Sequence, residues 1–176
     1  MTKIHAFQNA RSTSWSGGKT TELFIFPADT GYANRDFDFR ISTATIEIEA
    51  SDFTALPDYN RLLAVLEGEL ELIHEGKYAK KLSPFESDAF HGSWKTNSKG
   101  KARDFNVIYS DKYTLHFAFA AANETTELIQ TSDFLFLFAL NNTTDWQKYD
   151  LIEVTDSIIL EKGFTFFRIE LNLKAK

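Results

Sequence analysis

The sequence predicts an all-β protein made of two fused barrel halves, and three observations predict it. Short runs of alternating apolar and polar residues recur along all 176 positions, the period-two pattern of half-buried strands. Turn-forming Gly, Pro, Asn and Asp interrupt these runs about every ten residues, the spacing of a barrel or sandwich with upwards of about ten strands. No segment carries a capped helical period over three turns. There is also an internal echo, which together with the strand count leads to two fused halves: an apolar run followed by Leu82-Ser-Pro-Phe in the first half resembles a run followed by Leu160-Glu-Lys-Gly in the second.

Residues 1–14 are polar and lead in as an edge strand or loop. Trp15-Ser-Gly-Gly-Lys-Thr-Thr-Glu-Leu23 follows, its glycine pair turning the backbone beneath Trp15, and then Phe24-Ile-Phe26. Gly18-Lys-Thr20 is not a phosphate loop, because Thr13 stands where that motif requires glycine. The next strand opens with Phe37, Phe39 and Ile41 on one parity and Asp38, Arg40 and Ser42 on the other. Farther along, the apolar parity is that of Ile46 and Ile48. Run unbroken, the strand places Arg40 and Ser42 on the same face as those isoleucines, an arginine at the mouth of a barrel. A bulge near Thr43–Thr45 instead returns Arg40 to solvent. Both readings stand at this stage.

Residues 52–60 read as a turn-rich connector, and 61–74 as a hairpin about Glu67-Gly68. Residues 82–90 form a turn and a return strand, closed by His91-Gly92. The basic segment 95–103, KTNSKGKAR, reads as a solvated loop. Residues 104–109 and 113–119 alternate again. Phe134-Leu-Phe-Leu-Phe-Ala-Leu140 is short and aromatic, a strand buried on both faces rather than a helix fragment. Residues 151–154, 158–160 and 164–173 supply the last strands.

With 43% hydrophobic residues and 17 Phe, a chain of this size buries roughly 70% of its unfolded surface and folds unaided. There is no cysteine, which removes disulfides, thiolate metal sites and cysteine nucleophiles. A net charge of −6 with scattered basic residues argues against nucleic acid. The N-terminus lacks a signal-peptide apolar core, and no apolar run nears the ~18 residues of a membrane helix. A cytoplasmic protein without a membrane partner is expected.

Six fragments occur in order: Trp15-x-Gly-Gly-x-Thr-Thr-Glu-Leu, Asp38-Phe-Arg-Ile-Ser42, Phe53-x-x-Leu-Pro-x-x-x-Arg-Leu-Leu63, Leu66-Glu-Gly68, Phe90-x-Gly92 and Asp104-Phe-Asn106. Together they resemble the HutD/Ves family over roughly residues 5–120, with the C-terminal third diverged. The resemblance implies a cupin-superfamily bicupin, two fused double-stranded β-helix (jelly-roll-like) halves. On this reading the first half spans residues 30–110, and the second takes the N-terminal strands plus 111–176. It also implies a cytoplasmic protein of histidine utilisation whose members are not established enzymes. In that context urocanate or a formylated or formiminated glutamate is the implied ligand class. The Ser16-Gly-Gly stretch departs from the longer glycine run of many relatives.

Cupin metal sites use two histidines one residue apart, a following glutamate and a later histidine. Here His5, His74, His91 and His116 are isolated, so neither a metal nor another cofactor is expected. No Gly-x-Ser-x-Gly elbow surrounds any serine. Arg40 and Arg61 form the sharpest pair, since a guanidinium matches a carboxylate bidentately. Ser42, Thr20 and Asn106 are neutral donors around them, Trp15 and Phe90 an aromatic wall, and Asp104 an orienting acid. His91 completes the ligand-binding set. The alternative for Arg61 is a pair with Asp58 or Asp104 that pins a turn. For Arg40 it is a pair with Asp38 or a glutamate of a neighbouring strand. The chain is therefore expected to bind a small anionic metabolite without catalysing a reaction. The alternatives are a metal-free isomerase or hydrolase using His91 with Asp104 or Glu22, and a homodimer covering an aromatic face.

Overall fold

The computed structural model describes residues 2–175. Its first strands are β1 (Thr2–His5), β2 (Arg11–Trp15), β3 (Gly18–Phe26), β4 (Phe39–Ile46), β5 (Ala50–Asp52) and β6 (Tyr59–Gly68). There follow β7 (Leu70–His74), β8 (Tyr78–Leu82), β9 (Ser87–His91), β10 (Thr96–Lys99) and β11 (Ala102–Ser110). The last are β12 (Tyr113–Ala121), β13 (Thr126–Ile129), β14 (Phe134–Ala139), β15 (Leu151–Val154), β16 (Ser157–Leu160) and β17 (Thr165–Leu173). Among the described residues the one helical element is a 3-10 turn at Phe7–Asn9, and no helix is long and apolar enough to cross a membrane. The all-β expectation holds. Two compact units divide the chain, residues 11–111 and residues 2–10 with 112–175. The N-terminal strands are thus shared out: β1 joins the C-terminal strands, while β2 pairs with β3 and β3 with β4 in the first unit.

In the 2–10/112–175 unit the sheet order is β1-β15-β14-β17-β12, with a separate β13-β16 ribbon. Phe134–Ala139 is its inner strand, and Leu135, Phe136, Leu137 and Phe138 are all fully buried. Burial on both faces explains why this run shows no alternation. Trp146 packs on Phe164 at 5.2 Å between ring centres, within a cluster that includes Ile152, Val154 and Phe166.

The 11–111 unit sets a six-stranded sheet, β2-β3-β4-β11-β6-β9, beside a four-stranded one, β5-β10-β7-β8. Strand β4 runs in continuous register with β11 from Phe39↔Tyr109 to Ile46↔Ala102. The bulge near Thr43–Thr45 is absent, so Arg40, Ser42, Ala44 and Ile46 share one face. The strand ends there; Ile48 is 37% exposed in the following turn. The bulge lies instead on β3, where Glu22 pairs with Ser42 but Phe24 with Ile41, leaving Leu23 as the extra residue. That one residue moves Phe24 and Phe26 off the face of Glu22, and both rings stack on Phe39.

Two other readings are corrected. β6 and β7 do not form a hairpin: β6 pairs with β11 and β9, and β7 with β10 and β8. Gly68, at φ +80°, is the corner where the chain crosses between sheets, and a Cβ there meets Lys101 O at 2.5 Å. The basic segment is not a loop, because β10 occupies its centre with Thr96 and Ser98 buried. Small hydroxyl residues facing inward hid the alternation. His74 also faces inward, its Nδ1 on Thr96 Oγ1 at 2.8 Å and its Nε2 on Asp88 Oδ2 at 2.9 Å.

Gly92 anchors the connector before β6: its N–H donates to Tyr59 O and its carbonyl accepts from Leu56 N–H. A Cβ at Gly92 meets Leu56 O at 2.3 Å and Tyr59 O at 2.8 Å. Gly92→Ala is therefore expected to lower stability by about 1–3 kcal/mol, read as a lower urea midpoint. Gly31→Ala, with 3.9 Å to Asn34 Nδ2, is expected to be close to neutral in the same assay.

Candidate functional site

The face of the six-stranded sheet that carries Arg40 lines a cavity of about 620 Å³ within the 11–111 unit. Register builds its wall rung by rung, because directly opposed residues project to the same side. Ile108 on β11 stands opposite Arg40 on β4 and Arg61 on β6. The two arginines therefore flank it on one rung, about 10 Å apart across two strand spacings. The next rung holds Glu22, Ser42 and Asn106, and the one after it Thr20, Ala44 and Asp104. Tyr32, Phe53 and Thr54, from the connectors, complete the wall.

The two arginines are held differently. Arg40 Nε donates to Glu22 Oε2 at 2.6 Å, Nη1 reaches Ser42 Oγ at 3.4 Å, and the guanidinium lies 4.6 Å from the Tyr32 ring centre. This is the pairing with a neighbouring strand's glutamate. Arg61 has no ion-pair partner among the described residues. Its Nη1 donates to Thr54 O at 3.3 Å, and its guanidinium sits over Phe53 at 4.8 Å and Phe90 at 5.7 Å. Nε is buried without a hydrogen-bond partner. Burial pulls its pKa below the ordinary value, opposed by Tyr32 and Asp104 and reinforced by Arg40. A guanidinium stays protonated regardless, so Arg61 is a buried cation with an unused donor.

Asp104, 2% exposed, accepts Ala44 N–H at 3.1 Å and Asn106 Nδ2–H at 2.6 Å, both on Oδ1. Asn106 Oδ1 is left buried and unpartnered. Burial lifts the Asp104 carboxyl to about 7, against the pull of Arg61, the two donors and Arg103.

Seven of the nine expected ligand residues line the cavity: Trp15, Thr20, Arg40, Ser42, Arg61, Asp104 and Asn106. Phe90 and His91 do not. Phe90 sits behind the Arg61 guanidinium, and His91 Nδ1 pairs with Ser93 Oγ at 2.7 Å. Tyr32 and Phe53 are part of the wall that the residue-by-residue reading left out, and Glu22 entered that reading only as an alternative acid beside His91. The face of Glu22 depends on the β3 bulge, and the two aromatics lie on connectors without periodicity. Among the described residues, no three His, Cys, Asp or Glu gather closely enough to hold a metal ion.

The Asp104 carboxyl makes stability depend on pH. Its folded value, about 7, exceeds the ordinary 3.8. Between those values the folded chain keeps a proton that the unfolded chain has released. Its contribution to stability therefore falls as pH rises through that window and is flat above it. Asp104→Asn removes the titration. The variant is expected to gain on the parent between pH 4 and 8, by up to about 1.4 kcal/mol per pH unit inside the window. Urea denaturation at several pH values checks this, and a constant offset contradicts it.

Comparison with known proteins follows the same lines. The HutD family model matches residues 7–176. An uncharacterized 21.2 kDa protein from the hutC 3′ region of Pseudomonas putida is 31% identical over 131 residues, 72% of this chain and 66% of that relative's length. Among solved structures, HutD from Pseudomonas fluorescens SBW25 superposes with a TM-score of 0.79 at 22% identity, covering 99% of this chain and 100% of that one. A conserved protein of unknown function from Pseudomonas aeruginosa PAO1 gives 0.82 at 20% identity, covering 98% and 99%. YhhW from Escherichia coli, whose nickel(II) complex is described as a bacterial pirin, shares the fold at 0.70 with 10% identity over the whole of both chains. The fold is cupin-like, and with the family model covering nearly all of its length, the chain belongs to the HutD family.

Proposed function

We propose that this chain binds a small carboxylate in the cavity of the 11–111 unit and acts as a binding or regulatory protein in histidine utilisation. The observation that carries the proposal is Arg61, a buried cation on the cavity wall with no ionic partner among the described residues and an Nε donor without a hydrogen bond. A guanidinium out of water needs an anion, and a carboxylate satisfies its fork bidentately. Phe53 and Phe90 hold the guanidinium plane, Thr54 O anchors one Nη, and Trp15 and Thr20 line the same cavity. The link to histidine utilisation rests on relatives, named HutD in P. fluorescens and by the hutC 3′ region in P. putida. The acid–base reading through His91 has no comparable support, since His91 lies off the cavity wall and is engaged by Ser93.

A thermal-shift panel of urocanate, formylglutamate, glutamate and histidine at near-millimolar concentration tests the proposal. A ligand at 100 times its dissociation constant adds about 2.7 kcal/mol, on the order of 5–10 °C for a chain of this size. Arg61→Ala is expected to abolish the shift, weakening binding by about 10–100-fold. Arg40→Ala is expected to weaken it less, because Arg40 Nε is already committed to Glu22. No shift with any acid, or a shift that survives Arg61→Ala, contradicts the proposal.

A further inference from the structure

Asp104 and Arg61 are buried ionisable groups of opposite sign on the same cavity wall, at 2% and 8% exposure. They do not pair. Asp104 Oδ1 takes both of the carboxyl's hydrogen bonds, from Ala44 N–H and Asn106 Nδ2–H, and Arg61 donates to Thr54 O. Each still feels the other's charge: Arg61 draws Asp104 toward its ionised form, and Asp104 favours the charged guanidinium. Burial bears on the two differently, because a carboxyl sheds its charge by taking a proton and a guanidinium keeps its own. With Oδ1 holding two N–H donors, that proton belongs on Oδ2.

The charged and titratable groups around Asp104 come from every strand of the wall. Arg11 (β2), Glu22 (β3), Arg40 (β4), Asp52 (β5) and Arg61 (β6) line the cavity with it, as does Tyr32 from a connector. Arg103 adjoins it on β11. Glu22 is paired with Arg40, so those two charges offset each other. Arg61 and Arg103 are the cations that support an ionised Asp104, and burial opposes them. A carboxylate set against Arg61 cancels part of that support and adds a negative charge of its own, shielded from water in the same cavity. Both changes favour the protonated carboxyl.

We propose that the cavity takes up its carboxylate together with a proton held by Asp104, so that affinity falls as the solution becomes alkaline. This rests on the carboxylate reading of Arg61. The sign follows from reciprocity: an anion that makes Asp104 hold its proton more tightly is itself held more tightly when the proton is present. Asp104 stands at about 7 in the free chain, so the effect falls across neutral pH.

Calorimetric titration of the full chain with formylglutamate tests it, since the carboxylates of this acid are its only titrating groups and stay ionised above about pH 6. Affinity is expected to fall about tenfold between about pH 6.5 and pH 8.5. Near about pH 7.5 the binding heat is expected to differ between HEPES and Tris buffers, because binding draws up to about one proton from the buffer. Asp104→Asn is expected to bind with neither dependence. Asn106→Leu removes a donor that favours the ionised form, and is expected to move the fall in affinity to higher pH. That variant decides if Asp104→Asn does not fold. Binding that is equal at every pH and in both buffers, and is lost in Arg61→Ala, overturns the proton linkage and keeps the carboxylate reading. A pH dependence that survives Asp104→Asn overturns the role of Asp104. No binding at any pH overturns both.

Discussion

A guanidinium buried without an ionic partner is the constraint on which the rest of this site depends. Removing a charge from water costs several kcal/mol unless the surroundings compensate. Arg61 receives only partial compensation: two aromatic faces, one carbonyl and the field of an Asp104 that it does not touch. The same burial lifts Asp104 to about 7. The site therefore holds two strained ionisations, and an anion placed against Arg61 would relieve the cationic one.

Backbone features far from the chemistry keep that arrangement in place. The continuous β4–β11–β6 register sets both arginines on one rung with Ile108. The bulge at Leu23 keeps Glu22 on the cavity face while sending Phe24 and Phe26 to the other, and so supplies the anion that occupies Arg40. Gly68 lets the chain turn from one sheet to the other, and Gly92 ties down the connector that presents Phe53 and Thr54. Packing against rigid strands makes the two guanidinium groups unequal: one is paired with a carboxylate within the protein and the other has no ion-pair partner among the described residues.

Much of this was readable from residue order, and the failures have physical causes. The all-β class and the buried strand at 134–140 follow from parity, while the shared face of Arg40, Ser42 and Ile46 was one of two readings until the β4–β11 register decided it. Parity does not reveal the bulge at Leu23, because Thr20, Glu22, Phe24 and Phe26 fall on the same parity. Nor does it tell a hairpin from a corner at Glu67-Gly68, since both need the same glycine. The strand at 96–99 was hidden by hydroxyl side chains that face inward. The roles within the arginine pair were legible only as alternatives. The glutamate that occupies Arg40 is eighteen residues away in sequence, and Arg61 lacks a partner because the acids near it in sequence do not reach it.

The most direct measurement of the central claim is a crystal structure of the chain with a bound small carboxylate. The account predicts carboxylate oxygens at about 2.7–3.2 Å from Arg61 Nε and one Nη, with Arg40 still on Glu22. A carboxylate seated on Arg40 with Glu22 displaced, or bound outside this cavity with Arg61 Nε still unpartnered, contradicts it.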